Sequence, residues 1–238
     1  MGVTIHYKLQ APPGTDKARA KEIMTQLREC ARRYGFAGRV DAVPPLAGDD
    51  GALRWGRTWH YAPVPDRQKA LYVAEVIPWE GFVLFVRPGV DCETLALGLC
   101  RYPSRVVVGD RVRRTGLGGW RWQSSCKTQY ASLHGWEHFR RCHLAVLGLL
   151  DEARRLGCRV TVSDEGEYWP GRNEAKLRKN VEEMNRAIAA AAGAMKDFEK
   201  AMDAAGVQTL IFAHPQFEHL EAKGAARGHA AALRKALS

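Results

Sequence analysis

Three carboxylates fall within four positions at Asp164, Glu165 and Glu167, and a reactive polar run, Cys126-Lys127-Thr128-Gln129-Tyr130, stands one helix's length before them. Acids crowded this closely repel one another. Where they are partly buried, at least one is driven to keep its proton, the state a general acid needs. Glu165 and Glu167 are therefore candidate acid–base groups, with His134 as a further proton carrier. Lys127, Thr128 and Gln129, with Tyr130, Asp164 and Tyr168 around them, carry the charge and donors to hold a small anionic or polar ligand. A helix starting just beyond them would add unsatisfied N–H groups and positive potential. Cys126 beside His134 or His138 suggests a thiolate–imidazole pair, set against the commoner fate of an inert buried cysteine.

Other chemistries find less support. His134 and His138 lie four apart, and Cys142 and His143 follow, but there is no H-E-x-x-H and no C-x-x-C, so neither a metal nor a cofactor is expected. The glycines of Gly116-Leu117-Gly118-Gly119 fit neither phosphate-loop pattern and precede a strand, which excludes a nucleotide loop of those kinds. No G-x-S-x-G elbow is present.

For the two polar runs to meet, the chain between them must cross over. Residues 120–127 alternate as a strand, 128–135 read as a turn, 136–157 as a helix and 158–163 as a second strand, ending in the acidic turn 164–168. Such a crossover makes its two strands parallel. Both turns then sit at one carboxyl edge, where α/β sheets tend to bind ligands. In residues 120–125 the alternation puts Trp120 and Trp122 on one face and Arg121, Gln123 and Ser125 on the other.

Upstream, Val3, Ile5, Tyr7 and Leu9 alternate as a strand, and Thr15 or Asp16 caps a helix whose apolar face carries Ile23, Leu27, Cys30 and Ala31, with Gly35 as its stop. A short strand follows at 39–43, then a loop over 46–69 containing a strand at 54–61. Strands 71–77 and 82–87 flank Pro78-Trp79-Glu80-Gly81 as a hairpin. A helix capped by Asp91 runs to Leu99, a strand covers 105–112, and 113–119 is a basic glycine-rich loop.

Ala31-Arg32-Arg33-Tyr34-Gly35 parallels Ala153-Arg154-Arg155-Leu156-Gly157, each at a helix-to-strand junction. The repeat signals either a duplicated unit or two well-ended helices, since basic last turns and a glycine stop suit any helix. The fold expected is α+β: a mixed or antiparallel sheet of ferredoxin-like β-α-β units, duplicated under the first reading, with helices on one face. Residues 1–172 form this sheet domain. Residues 173–238 form a helical extension packed on it, led by a long helix at 173–203 whose seam from Leu177 to Met202 keeps a four-heptad spacing. That seam serves either to lie on the chain's own sheet or to pair two copies. A strand or extended arm at 207–213 and a terminal helix at 216–237 complete the chain.

The chain has 238 residues and a net charge of +10. The excess is local: residues 101–150 hold nine Lys and Arg against two Asp and Glu. Its centre is Arg101, Arg105, Arg111, Arg113, Arg114, Arg121 and Lys127, and Arg111, Arg113, Arg114 and Arg121 within it form a basic patch suited to an acidic partner. No uncharged apolar run reaches membrane-spanning length, the opening residues do not read as a signal peptide, and the six cysteines are scattered; a cytoplasmic protein is expected.

The leading functional expectation is binding of a small anionic or polar ligand at the edge formed by 126–134 and 164–168, with acid–base chemistry there. The alternatives are a non-catalytic interaction or neutralising protein, using the basic patch at 101–121 for an acidic protein partner and the heptad seam to form a homodimer, and, less favoured, nucleic-acid binding through the same arginines.

Overall fold

The computed structural model describes residues 3–36, 58–63, 71–169 and 171–202. The expected elements at 39–43, 207–213 and 216–237 lie outside the described residues. What is described is an α+β arrangement of antiparallel sheets and a few helices. In chain order it runs β1 (Thr4–Gln10), α1 (Lys17–Arg33), β2 (Thr58–Pro63), β3 (Leu71–Val76), β4 (Glu80–Val86), β5 (Leu95–Arg101), β6 (Arg105–Val108), β7 (Arg111–Arg114), β8 (Trp120–Lys127), α2 (Trp136–Arg155), β9 (Arg159–Asp164) and α3 (Glu174–Met202).

The main sheet has the order β4-β5-β8-β1-β9, every pair antiparallel. β8 and β9 therefore run the same way without touching, because β1 lies between them and antiparallel to both. The crossover through α2 does bring their carboxyl ends to one edge. The amino end of β1 is threaded between them, with Thr4 opposite Lys127 and Ile5 opposite both Cys126 and Asp164.

One face of this sheet makes the core. Ile5, Tyr7 and Leu9 are buried, as are Trp122 and Cys126 opposite Leu9 and Ile5, and α1 and α2 cover them with Ile23, Leu27, Val146 and Leu150. α1 starts where Asp16 accepts the Arg19 amide at 2.7 Å, the usual way an aspartate satisfies an open helix end. Both helices finish on a basic last turn, with Gly35 and Gly157 at positive φ.

β5 departs from the expected helix at 91–99. Its residues Leu95 to Cys100 are all buried, so both faces are apolar, and a continuous apolar run does not reveal its period. Asp91 sits at φ 58 in the preceding turn and caps nothing helical. The expected hairpin of 71–77 with 82–87 is also corrected. β3 pairs with β2 in a separate sheet, whereas β4, apolar on both faces, belongs beside β5. The single strand expected at 105–112 is a hairpin, β6–β7, turning at Gly109-Asp110.

β5 and β8 share a register over only Cys100–Arg121 and Arg101–Trp120. Beyond it the regular pairing stops until the Glu93 amide meets the Lys127 carbonyl at 2.9 Å, and side chains fill the interval: the Trp122 indole N–H and the Tyr7 hydroxyl both donate to the Ala96 carbonyl, at 2.7 and 2.8 Å. The indole lies on Gly98, where a Cβ would come within 2.6 Å of the ring.

α3 is fastened to α2 by a two-pronged Arg140–Glu174 pair at 2.6 and 2.8 Å. The first seam positions, Leu177 and Val181, are buried with Val3, Ala131 and Phe139 of the same chain. Among the described residues no helix is long and apolar enough to cross a membrane.

Candidate functional site

The second face of β8, β1 and β9 is polar throughout, and the strand register sets its side chains in rows. Arg121, Gln10 and Arg159 form the first row, Gln123, Lys8 and Thr161 the second, Ser125, His6 and Ser163 the third. Lys127 and Thr4 continue into a fourth, completed by Glu165, whose amide donates to the Thr4 carbonyl at 3.1 Å. Period-two alternation produces this directly: each polar residue alternates with one facing α1 and α2.

Two hollows lie on the face. One, about 310 Å³, is lined by Lys8, Arg121 and Arg159 with Gln10, Gln123 and Thr161, and it is floored in part by Tyr102 and Leu117. The other, about 540 Å³, continues from Lys8 past His6 to Ser125 and Ser163. Among the described residues no carboxylate lines either one. Cations gathered without a counter-charge leave a positive potential that an anion relieves. Arg121 is partly held, its Nε donating to the Gly118 carbonyl at 2.7 Å.

The sequence-predicted site residues fall at the carboxyl end of this face or beneath it. Lys127 is half-buried, its ammonium 5.3 Å over the Tyr130 ring, and its amide and carbonyl pair with Glu93, both at 2.9 Å. Glu165 accepts the Thr4 amide at 2.9 Å and stands 3.6 Å from His6 Nε2, in a setting where both are about half exposed. The Tyr168 ring lies under the Arg172 guanidinium.

Thr128 and Gln129 are wholly buried, as is the side chain of Asp164, and the three hold the edge together. Gln129 accepts the Val3 amide at 3.0 Å and donates to Asn185 at 3.1 Å. Asp164 accepts the amides of Gly166, Tyr168 and Trp169 at 2.8, 2.9 and 3.1 Å, which shapes the acidic turn. Between the two turns stands His143, with Nδ1 at 2.9 Å from the Thr128 hydroxyl and Nε2 at 3.3 Å from Asp164 Oδ1, off hydrogen-bond geometry. Threonine, histidine and aspartate in that order match a nucleophile relay, but all three side chains have no exposed surface. No substrate reaches Thr128, so the trio acts as a strut joining β8, α2 and β9.

The expected crowding of acids takes a different form, because each carboxylate has its own partner. Burial raises the Asp164 carboxyl, but His143 and the Trp169 and Gly166 amides more than offset it, leaving it below the ordinary value. Glu167 sits at φ 56 and pairs with Lys176 at 2.5 Å, which holds it low as well. Neither is poised as a general acid at neutral pH. Cys126 is fully buried, and burial together with Glu93 and Cys142 pushes its thiol up, the setting of an inert cysteine. His134, the last residue of the 3-10 turn Gln129–His134, bonds Asp91 at 2.7 Å.

The basic patch divides. Arg121 belongs to the open face, whereas Arg111, Arg113 and Arg114 lie on β7 with Arg105 on β6 opposite Arg114. Trp120 and Trp122 are core, as the alternation predicts. Among the described residues no group of three His, Cys, Asp or Glu is arranged to hold a metal ion.

Lys8, Arg159 and His6 were missed as site residues, and so was His143. The signal for the first three was present, since Thr4, His6, Lys8 and Gln10 alternate as regularly as the apolar residues between them, and Arg159, Thr161 and Ser163 do the same around Val160 and Val162. His143 carries no such signal. It acquires partners only when β8 and β9 end side by side around β1.

No family model matches this chain, and no curated protein or solved structure does either.

Proposed function

We propose that the protein binds a small anionic ligand on the open face of β8, β1 and β9. Lys8, Arg121 and Arg159 hold the negative charge, Gln10, Gln123 and Thr161 supply neutral donors, and Lys127 and Glu165 close the carboxyl end. The observation that carries this reading is the hollow lined by three cations and, among the described residues, no carboxylate. The edge predicted at 126–134 and 164–168 keeps a part in it: its exposed members line the last row, and its buried members fix where that row stands. Acid–base work at this face falls to Glu165 with His6, the titratable pair that solvent and ligand both reach.

The architecture supports a ferredoxin-like reading of the scaffold. The path β1-α1-β5-β8-α2-β9 has the β-α-β-β-α-β order, and its strands lie as β9-β1-β8-β5 with β4 added at the edge. The repeated A-R-R-x-G then marks the two helix ends of one such unit.

A thermal-shift series with phosphate, pyrophosphate and tricarboxylates, each against chloride at equal ionic strength, tests the reading. A ligand at a hundredfold excess over its Kd adds about 2.7 kcal/mol to stability, a shift of several degrees. Lys8→Ala and Arg159→Ala should each remove most of that shift while leaving the unliganded Tm near its original value. A shift that survives both substitutions overturns the assignment.

One observation favours a second reading, a longer polyanion such as a nucleic-acid strand. The β6–β7 hairpin rises from the rim of the cationic hollow, and Arg105 and Arg114 stand exposed on its outer side around Val107 and Val112, each 63% exposed. Phosphate contacts of that kind weaken steeply with salt. If this reading holds, an oligonucleotide gel shift is lost in Arg105→Ala with Arg114→Ala and retained in Arg159→Ala. The first reading predicts no oligonucleotide shift at physiological salt.

A further inference from the structure

Away from the open face, the loop between β4 and β5 lays one cysteine against another on α2. Cys92 closes a turn in which its amide donates to the Gly89 carbonyl at 3.3 Å, and its side chain packs in the same cluster as Cys142. Both thiols are free, and the packing of the Gly89–Cys92 turn onto Cys142 puts them close enough to influence each other's ionisation. The Cys142 sulfur occupies the space beside Gly89 that any larger residue would need, so this glycine is what lets the loop close onto the helix. His138 Nε2 lies 3.7 Å from that sulfur and 3.2 Å from the Val90 carbonyl, and Arg141 reaches His138 Nδ1 at 3.0 Å. Cys142 is fully buried, whereas Cys92 is partly exposed.

The surroundings favour a thiolate shared by this pair. Cys92, Arg141 and His134 bring the Cys142 thiol below its ordinary value in spite of burial, while Cys142 and burial push Cys92 up. Cys30, Cys100, Cys126 and Cys158 lack this combination: for each of them burial pushes the thiol up.

We propose that Cys92 and Cys142 are a redox-active dithiol, closed by a peroxide into a disulfide that staples the β4–β5 loop to α2. The pair first loses one proton to solvent. The proton that remains exchanges between the two sulfurs, and reaction proceeds through the fraction in which Cys142 holds it and Cys92, the sulfur that solvent reaches, is the thiolate. That sulfur attacks one peroxide oxygen, the O–O bond breaks, and a sulfenic acid and hydroxide result. The Cys142 sulfur then attacks the sulfenic sulfur, the S–S bond forms, the S–O bond breaks, and the departing hydroxide takes up the Cys142 proton. In sum two thiols and one hydrogen peroxide give one disulfide and two waters, with two electrons passing from sulfur to oxygen.

The staple has a reader close by. Glu93, the next residue, holds the backbone of Lys127 from both sides and receives the Cys126 S–H at its carbonyl, 3.5 Å away. Closing the disulfide fixes the strand end that positions Lys127 at the edge of the open face.

The test is peptide mapping of the reduced full chain after hydrogen peroxide treatment, with the remaining thiols alkylated under denaturing conditions. The expected product is a Cys92 peptide joined to a Cys142 peptide, lighter than the two thiol peptides by two hydrogen atoms and separated again by dithiothreitol. Alkylation of both cysteines should be lost together. Cys92→Ser, at the partly exposed position, should abolish the linked peptide, while Cys100→Ser leaves it. Full alkylation of Cys92 and Cys142 after peroxide, linkage of either to another cysteine, or zinc bound on these thiols in the purified protein would overturn the proposal.

Discussion

At the scale of single residues, Asp164 and His143 decide whether the edge exists. The Asp164 side chain has no exposed surface, takes three backbone amides and faces His143. Asp164→Ala would leave those three amides without their acceptor, and each buried donor left unsatisfied costs about 1–3 kcal/mol. Chemical denaturation should show that loss, and Asp164→Asn should recover part of it. Because the folded carboxyl lies below its ordinary value, its stabilising contribution is complete above the ordinary aspartate range and fades as pH falls through the lowered folded value. The wild type should therefore lose stability on acidification more steeply than Asp164→Asn. Equal slopes for the two would mean that Asp164 is not the acid-sensitive group. The sequence placed the acids of this turn together but could not assign their partners. Those partners, His143, Lys176 and the Thr4 amide, come from three other elements and were not legible before the fold was known.

At the scale of elements, legibility followed periodicity. β1, β8, α1, α2 and β9 were readable because one face of each is apolar and the other polar, and that contrast fixes both type and orientation. β4 and β5 are buried on both faces, so no contrast exists and the run 91–99 passed for a helix. Pairing partners were the weakest inference, since a Pro-Trp-Glu-Gly turn looks the same whether its flanking strands meet or separate. The join between β5 and β8 offers a direct check. With register over only two residue pairs, it depends on the Trp122 ring lying on Gly98 and reaching Ala96. Gly98→Ala pushes a methyl into a buried indole with no room to turn, an overpacking that typically costs about 1–3 kcal/mol. The loss should appear in urea unfolding together with a change in tryptophan fluorescence. A neutral substitution would show that the strands can part further without penalty.

At the scale of the whole molecule, the sheet gives its two faces separate work. One face carries α1 and α2 and makes the core. The other presents rows of polar side chains, with Lys8, Arg121 and Arg159 at one end and Lys127 with Glu165 at the other. The sequence located the carboxyl edge of this face by the crossover argument, and the edge is where the chain brings Lys127, Thr4 and Glu165 together. It did not reveal the face as a surface, because that required knowing that β1 lies between β8 and β9. Order in the sheet is a long-range property, and no local pattern encodes it.

The central claim is that this face holds an anion through Lys8, Arg121 and Arg159. Calorimetric titration of the full chain with pyrophosphate is its most direct test. Saturable binding at a single site is predicted, weakened roughly tenfold or more in each of Lys8→Ala and Arg159→Ala, as expected for the loss of a charge-assisted hydrogen bond. Absence of binding by pyrophosphate, or equal affinity in the wild type and both variants, would contradict it.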